Sequence, residues 1–169
     1  DGKTNIAISV TATSVSGTFT DLNNIYVTNV SNYSNLGDEN ITITDTQSAT
    51  NVNTILGKTT GVVTATVSTD TAANLNSALT NATTGTDVLT LTVNGATAQA
   101  TDLIGLDNKT SVDVSVTATA VSGTFANLNT VYVTNVANYV NLGDENVTIT
   151  DTTSASNVNI ILGATSGNV

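Results

Sequence analysis

Six carboxylates, three in each of two similar stretches, are the side chains most able to do chemistry. Paired carboxylates serve as general acid and base in polysaccharide cleavage, and calcium prefers such hard oxygen ligands. Because both stretches carry the same set, a structural turn is the favoured interpretation. A calcium or other hard-cation site comes second, and catalysis third. The six are Asp38, Glu39, Asp45, Asp144, Glu145 and Asp151.

The rest of the composition excludes most other chemistry. The chain of 169 residues has no histidine and no cysteine, so no Ser-His or Cys-His nucleophile can form. We therefore expect no enzyme and no catalytic residue, and calcium is the only cofactor we consider. A net charge of −10 disfavours nucleic acid as a partner, since phosphates require basic residues. The apolar runs are too short for membrane insertion.

Threonines alternate with apolar residues in five Thr-x-Thr units, a pattern typical of half-buried strands. A solvated strand face is the favoured interpretation of this threonine ladder. A face carrying O-linked sugar and a carbohydrate-binding or ice-binding face are the alternatives. The ladder consists of Thr11, Thr13, Thr42, Thr44, Thr64, Thr66, Thr90, Thr92, Thr117 and Thr119.

Asparagine followed at the second position by serine or threonine marks candidate sites for N-linked glycans. Asn40 and Asn146 are the strongest candidates, because the motif occurs at both of these matching positions. The motif at Asn29 and Asn32 is lost at the matching positions further along the chain. All the candidates are Asn29, Asn32, Asn40, Asn81, Asn108 and Asn146.

An internal repeat of 106 residues organises the chain. Residues 6–63 and 112–169 align without a gap, and 41 of the 58 positions are identical. We divide the first copy, 6–111, and the partial second copy, 112–169, into shorter coils and treat 1–169 as one continuous unit. The predicted coils are 6–38, 39–61, 62–86, 87–111, 112–144 and 145–167. The chain begins and stops within this pattern, so we expect a piece of a longer protein.

Each coil has a strand pattern followed by a helix pattern. The helix pattern places apolar residues three before and three or four after an anchor, which is one stripe of a helix. Four residues before the anchor stands a residue that is usually a good N-cap. The anchors are Leu22, Val52, Leu75, Leu103, Leu128 and Val158, and the expected caps are Thr18, Ser48, Thr71, Gln99, Thr124 and Ser154.

These patterns predict an α/β fold, a right-handed solenoid of 23–33-residue strand-helix coils similar in outline to leucine-rich repeats. The 33-residue coils need an outward loop or a longer helix. An all-β solenoid, in which the middle segment is a second strand, is the first alternative. Tandem sandwich domains are the second.

The stretches VSTDTAANLNSAL and LTLTVNGATAQATDLIGLD resemble the Thr/Ala/Asn-rich tandem repeats of very large bacterial secreted surface proteins. Those proteins, often cyanobacterial, include adhesins and haemolysin-type or surface-layer-like proteins. The resemblance covers nearly the whole chain and implies an extracellular or cell-surface location. The calcium-binding G-G-x-G-x-D repeat is absent from this chain, so the resemblance implies no calcium roll.

Together these observations predict an extracellular structural repeat protein that forms or extends a filament or a cell-surface rod. Its expected partner is a second copy of itself or more of the same repeats, with glycans as further partners. A passive spacer within a large adhesin is one alternative. A carbohydrate-binding or ice-binding module using the threonine ladder is another, and a polysaccharide-acting enzyme is the third.

Overall fold

In a computed structural model of the chain, which describes residues 6–169, every α-helix begins directly after its predicted N-cap. In five of the six helices the hydroxyl of this residue accepts a hydrogen bond from the N–H three residues later, whereas Gln99 makes no such bond. The cap satisfies a donor that the helix leaves free. The helices are α1 Phe19–Asn23, α2 Ala49–Leu56, α3 Ala72–Ala78, α4 Ala100–Asp107, α5 Phe125–Asn129 and α6 Ala155–Leu162.

Short strands lie between the helices, and all their pairings within residues 6–169 are parallel. They form four sheets with the orders β1-β3, β2-β4-β5-β7, β6-β8-β10-β12 and β9-β11-β13. The strands are β1 Ile8–Ser9, β2 Ser14–Gly17, β3 Tyr33–Ser34, β4 Asn40–Ile43, β5 Val63–Thr66, β6 Asp70–Thr71, β7 Val88–Thr90, β8 Thr92–Asn94, β9 Ala98–Gln99, β10 Val114–Val116, β11 Ala120–Gly123, β12 Tyr139–Val140 and β13 Asn146–Ile149.

Paired strands are separated by one helix along the chain. Ser14 of β2 pairs with Asn40 of β4, and Ile41 of β4 pairs with Val63 of β5. A parallel pair needs such a crossover connection. The predicted α/β class is therefore confirmed, and the all-β alternative is wrong because the middle segments are helical.

The core lies between the strands and the helices. The apolar residues that alternate with the threonines from Ile41 to Val93 are buried, as are five of the six helix anchors, while Val158 is half-buried. Val10 and Ala12 alternate with threonines in the same way, but they are half-buried and exposed, respectively, and lie outside any strand. Short helices of this kind are unstable alone, so packing on the strands must hold them.

The long predicted coil 6–38 uses its extra residues in two ways. Helix α1 continues as a π-helix, Asn24–Thr28, and a 3₁₀ turn, Val30–Asn32. The chain then forms β3, which pairs with β1, so both strands of a parallel pair lie within this predicted coil. The second copy repeats this arrangement in Thr130–Thr134 and Val136–Asn138.

No helix within residues 6–169 has the length and apolar character that crossing a membrane requires.

Candidate functional site

Two buried glutamates, one in each copy of the repeat, are the most unusual polar groups of the molecule. Glu39 is only 1% exposed, and its Oε2 accepts hydrogen bonds from the Tyr26 hydroxyl (3.1 Å) and the Gly37 N–H (2.9 Å). Glu145, 2% exposed, is bonded in the same way by Tyr132 (3.1 Å) and Gly143 (2.8 Å). The Oε1 atom of each glutamate is buried without a hydrogen-bond partner. The hydrogen bonds of the two carboxylates are therefore the same.

The local backbone positions the first glutamate. The π-helix Asn24–Thr28 carries Tyr26 to the carboxylate, in line with the frequent occurrence of π-turns at functional sites. Asn35 (φ 60°) and Gly37 (φ 116°) make the turn that precedes Glu39. A side chain at Gly61 would overlap the carbonyl oxygen of Glu39, so glycine is required there.

Hydrogen bonding decides the charge state of Glu39. Burial raises the pKa of its carboxyl, but the backbone N–H groups of Gly37, Glu39 and Asp38 and the Tyr26 hydroxyl together lower that pKa below its usual value. The carboxylate is thus ionised at neutral pH. Burial, followed by the charge and the hydrogen bond of Glu39, raises the pKa of the Tyr26 hydroxyl. Burial and Glu145 do the same for the pKa of Tyr132.

The structure does not gather the predicted carboxylates into one cluster. Asp45 accepts the N–H of Phe19 (2.8 Å), and Asp151 accepts that of Phe125 (2.7 Å), each at the first residue of a helix. Helix N-termini carry such free donors, so these two aspartates have a structural role. Asp38 and Asp144 are exposed. Within residues 6–169 no group of three or more Asp, Glu, His or Cys could hold a metal ion.

A pocket lies beside the glutamate turn in both copies. In the second copy it measures about 390 Å³ and is lined by residues 116–119, Asn141, Asp144 and Glu145. In the first copy it measures about 200 Å³ and is lined by residues 10–13, Asn35 and Asp38. Six lining residues match at the repeat spacing of 106, whereas Glu145 lines the pocket of the second copy and Glu39 does not line that of the first.

The threonine ladder does not form one regular array. Thr42 pairs with Thr64, and Thr66 pairs with Thr90, whereas Thr92 pairs with Ser115. Two hydroxyls are used inside the molecule, since Thr117 and Thr119 donate to the carbonyl oxygens of Val93 and Ala96. The members that lie outside the strands are Thr11, Thr13, Thr44, Thr117 and Thr119.

The predicted glycan sites differ in how free their side chains are. The Oδ1 atoms of Asn40 and Asn146 accept the N–H of Val62 and Asn168, which leaves the amide nitrogens for attachment. Asn81 uses its amide nitrogen on the carbonyl of Asn53. Asn108 is exposed, but the hydroxyl of its partner threonine is buried in the fold, and Asn29 and Asn32 are half-buried.

Sequence reasoning missed the groups that build the glutamate turn. Tyr26, Tyr132, Gly37 and Gly143 were not predicted to contact the glutamates. A signal was present, because the tyrosine stands 13 residues before the glutamate in both copies.

Comparisons of the chain with protein-family models, curated proteins and solved structures found no match.

Proposed function

We propose that this protein is an extracellular structural repeat protein, a right-handed α/β solenoid that forms or extends a filament or cell-surface rod. It lengthens by end-to-end stacking with a second copy of itself. One observation carries this proposal: matched apolar residues are buried where a further strand-helix unit stacks on them and exposed where none does.

The C-terminal end gives the clearest comparison. Leu56 is 5% exposed beneath the following strand-helix unit, whereas Leu162, its counterpart in the second copy, is 48% exposed. Val63 is 1% exposed and its counterpart Val169 is 41% exposed. Covering such apolar area is favourable by about 25 cal/mol per Å². A further unit stacked here would bury it.

The N-terminal end shows the complementary difference. Ile8 is 41% exposed, whereas its counterpart Val114 is fully buried between neighbouring units. Ala12 is exposed, whereas Ala118 is buried. The two ends therefore present opposite faces of one internal interface, as head-to-tail association requires.

Strand edges support the same geometry. Strand β4 lies between β2 and β5, whereas its counterpart β13 pairs with β11 alone among the described strands. Unpaired edges are templates for strands of another chain. The net charge of −10 opposes side-by-side clumping and favours growth along the ends.

The extracellular location is part of the proposal and has two supports. The chain has no cysteine to be oxidised and a strongly acidic composition. Its Thr/Ala/Asn-rich stretches resemble repeats of secreted surface proteins.

Electron microscopy and light scattering over a range of protein concentrations test the proposal. The unchanged protein should form filaments with an axial period. Leu162→Asp should block growth, because a charge in the buried interface is costly. Val136→Asp is the matched control, since Val136 and its counterpart in the first copy, Val30, are both 46% exposed, so a neighbouring unit does not cover this position, and it should still assemble. Rods that stay monomeric at every concentration would contradict stacking and favour the spacer alternative.

A further inference from the structure

Three buried carboxylates can be compared, and one is fully satisfied. Asp87 is 1% exposed, and its two oxygens accept the N–H groups of Val63 (2.8 Å) and Thr83 (2.7 Å). Glu39 and Glu145 are as deeply buried, but all their hydrogen bonds reach one oxygen and Oε1 is left without a partner. A buried polar atom without a hydrogen-bond partner is costly, so the two Oε1 atoms call for a partner.

Neither lysine within residues 6–169 is a partner of the Oε1 atom of Glu39 or Glu145. Lys109 donates to the carbonyl oxygen of Leu79 (2.7 Å). Lys58 is exposed, and alanine stands at its matching position, 164. Since both glutamates make the same hydrogen bonds, the missing partner should be common to both copies, and a lysine at 58 is not.

The pocket beside Glu145 supplies oxygen atoms that suit a hard cation. Glu145 and Asp144 both line it, and Asn141 donates its Nδ2 to Ser115 (3.0 Å), which leaves the amide oxygen free to act as a ligand. Thr117 and Thr119 add hydroxyl oxygens. The first copy repeats most of this set, because Asn35 donates to Ser9 (3.0 Å) and Asp38, Thr11 and Thr13 line its pocket. Glu39 does not line that pocket but follows Asp38 directly in the same turn.

We propose that each copy of the repeat binds one calcium ion, held by Glu39 with Asp38 in the first copy and by Glu145 with Asp144 in the second. The unpartnered, buried Oε1 atom is the observation that distinguishes this site from an ordinary acidic turn. Calcium accepts carboxylate, amide, hydroxyl and water oxygens in a flexible arrangement, whereas magnesium demands a stricter octahedron. Asp45 and Asp151 are not ligands, because each is used at a helix N-terminus.

Calorimetric titration of the full chain with CaCl₂, at a concentration where it is monomeric, tests this site. We expect two ions per chain with a Kd of about 10⁻⁴–10⁻³ M, as in extracellular calcium modules, and weaker binding of MgCl₂. Glu145→Gln keeps the shape of the side chain and should reduce the count to one ion. Asp144→Asn, at an exposed position, should weaken the same site by about tenfold or more without a risk to folding.

Asp113→Asn is the matched control, since Asp113 is exposed and lies outside both pockets. It removes the same charge and should still bind two ions. Absence of calcium binding at about 10 mM, well above the expected Kd, would overturn the proposal. So would an unchanged count of two ions in both Glu145→Gln and Asp144→Asn, or equal loss of binding in Asp113→Asn. The test does not depend on filament formation, so either proposal can fail without the other.

Discussion

Residues 39–63 and 145–169 are two copies of one sequence in different surroundings. The first copy is followed by further strands and helices, whereas the second lies at the C-terminal end. Strand, helix, cap and glutamate turn are the same in both. The apolar residues Leu56 and Val63 are buried, but Leu162 and Val169 are not. Local structure is therefore fixed within each unit, while burial is supplied by its neighbour.

The difference also shows where the molecule gains its stability. Stacked repeats draw their free energy of folding from each unit and from the contacts between neighbours. The two copies separate these contributions at positions where their residues are identical, because the neighbour contacts of such matched residues differ. Matched substitutions in the two copies can thus measure each contribution.

Truncating the matched leucines should give the largest difference. Leu56→Ala removes a buried side chain and should lower the free energy of unfolding by about 2–5 kcal/mol. Leu162→Ala removes a half-exposed side chain and should lower it by about 1 kcal/mol or less. Urea denaturation followed by circular dichroism, with monomeric protein, measures both. Equal losses of unfolding free energy would mean that Leu162 is already covered in solution, and would contradict the difference in burial between the two copies.

Removing the tyrosine hydroxyls should give a smaller effect that is similar in the two copies. Tyr26→Phe and Tyr132→Phe each delete a hydrogen bond to a buried carboxylate. Bonds to charged groups contribute about 1.5–3 kcal/mol, so each variant should lose roughly that much in the same urea experiment.

The control for these two variants is Tyr33→Phe, whose phenol is only half-buried and donates no hydrogen bond to either glutamate within residues 6–169; it should lose much less stability. A large loss for Tyr26→Phe with none for Tyr132→Phe would show that the glutamate turn does not act alike in the two copies.

Much of the local structure could be predicted from the sequence because its signals are local. Ser48 and Thr71 mark helix starts through the hydrogen-bonding chemistry of their own side chains, and the apolar stripe around Leu75 marks a buried face. The α/β class follows from these two periodicities.

The candidate site could not be predicted in the same way, because it depends on the path of the chain between distant residues. Asp38, Glu39 and Asp45 are close in sequence, yet Asp45 is used by the helix that begins at Phe19. Strand pairing decides this, since β4 lies beside β2 and brings Asp45 to that helix. Whether the threonines stack in one row also depends on the register of strand pairing. Thr64 of β5 pairs with Val88 of β7 rather than with a threonine.

The helix-capping aspartates should give the smallest effect, and one that depends on pH. The Phe19 N–H, with Gln47 and the backbone N–H of Asp45, lowers the pKa of Asp45 below its usual value, although partial burial opposes this. A carboxyl with a lowered pKa in the folded state stabilises the protein above its unfolded pKa of about 3.9, and that stability is lost as the pH falls through the folded value. Asp45→Asn should thus lower the Tm at pH 7 but little at acidic pH, as calorimetry would show.

Asp151→Asn sharpens this last test. Asp45 accepts a second hydrogen bond from the side chain of Gln47. Asp151 accepts the N–H of Phe125, but Thr153 stands at the position that matches Gln47, so Asp151 has no hydrogen bond from a glutamine. Asp151→Asn should therefore lower the Tm at pH 7 less than Asp45→Asn does. A Tm loss for Asp45→Asn that is as large at pH 2 as at pH 7 would contradict a role for its charge. That result would mean that the shape of the Asp45 side chain, and not its charge, stabilises the start of α1.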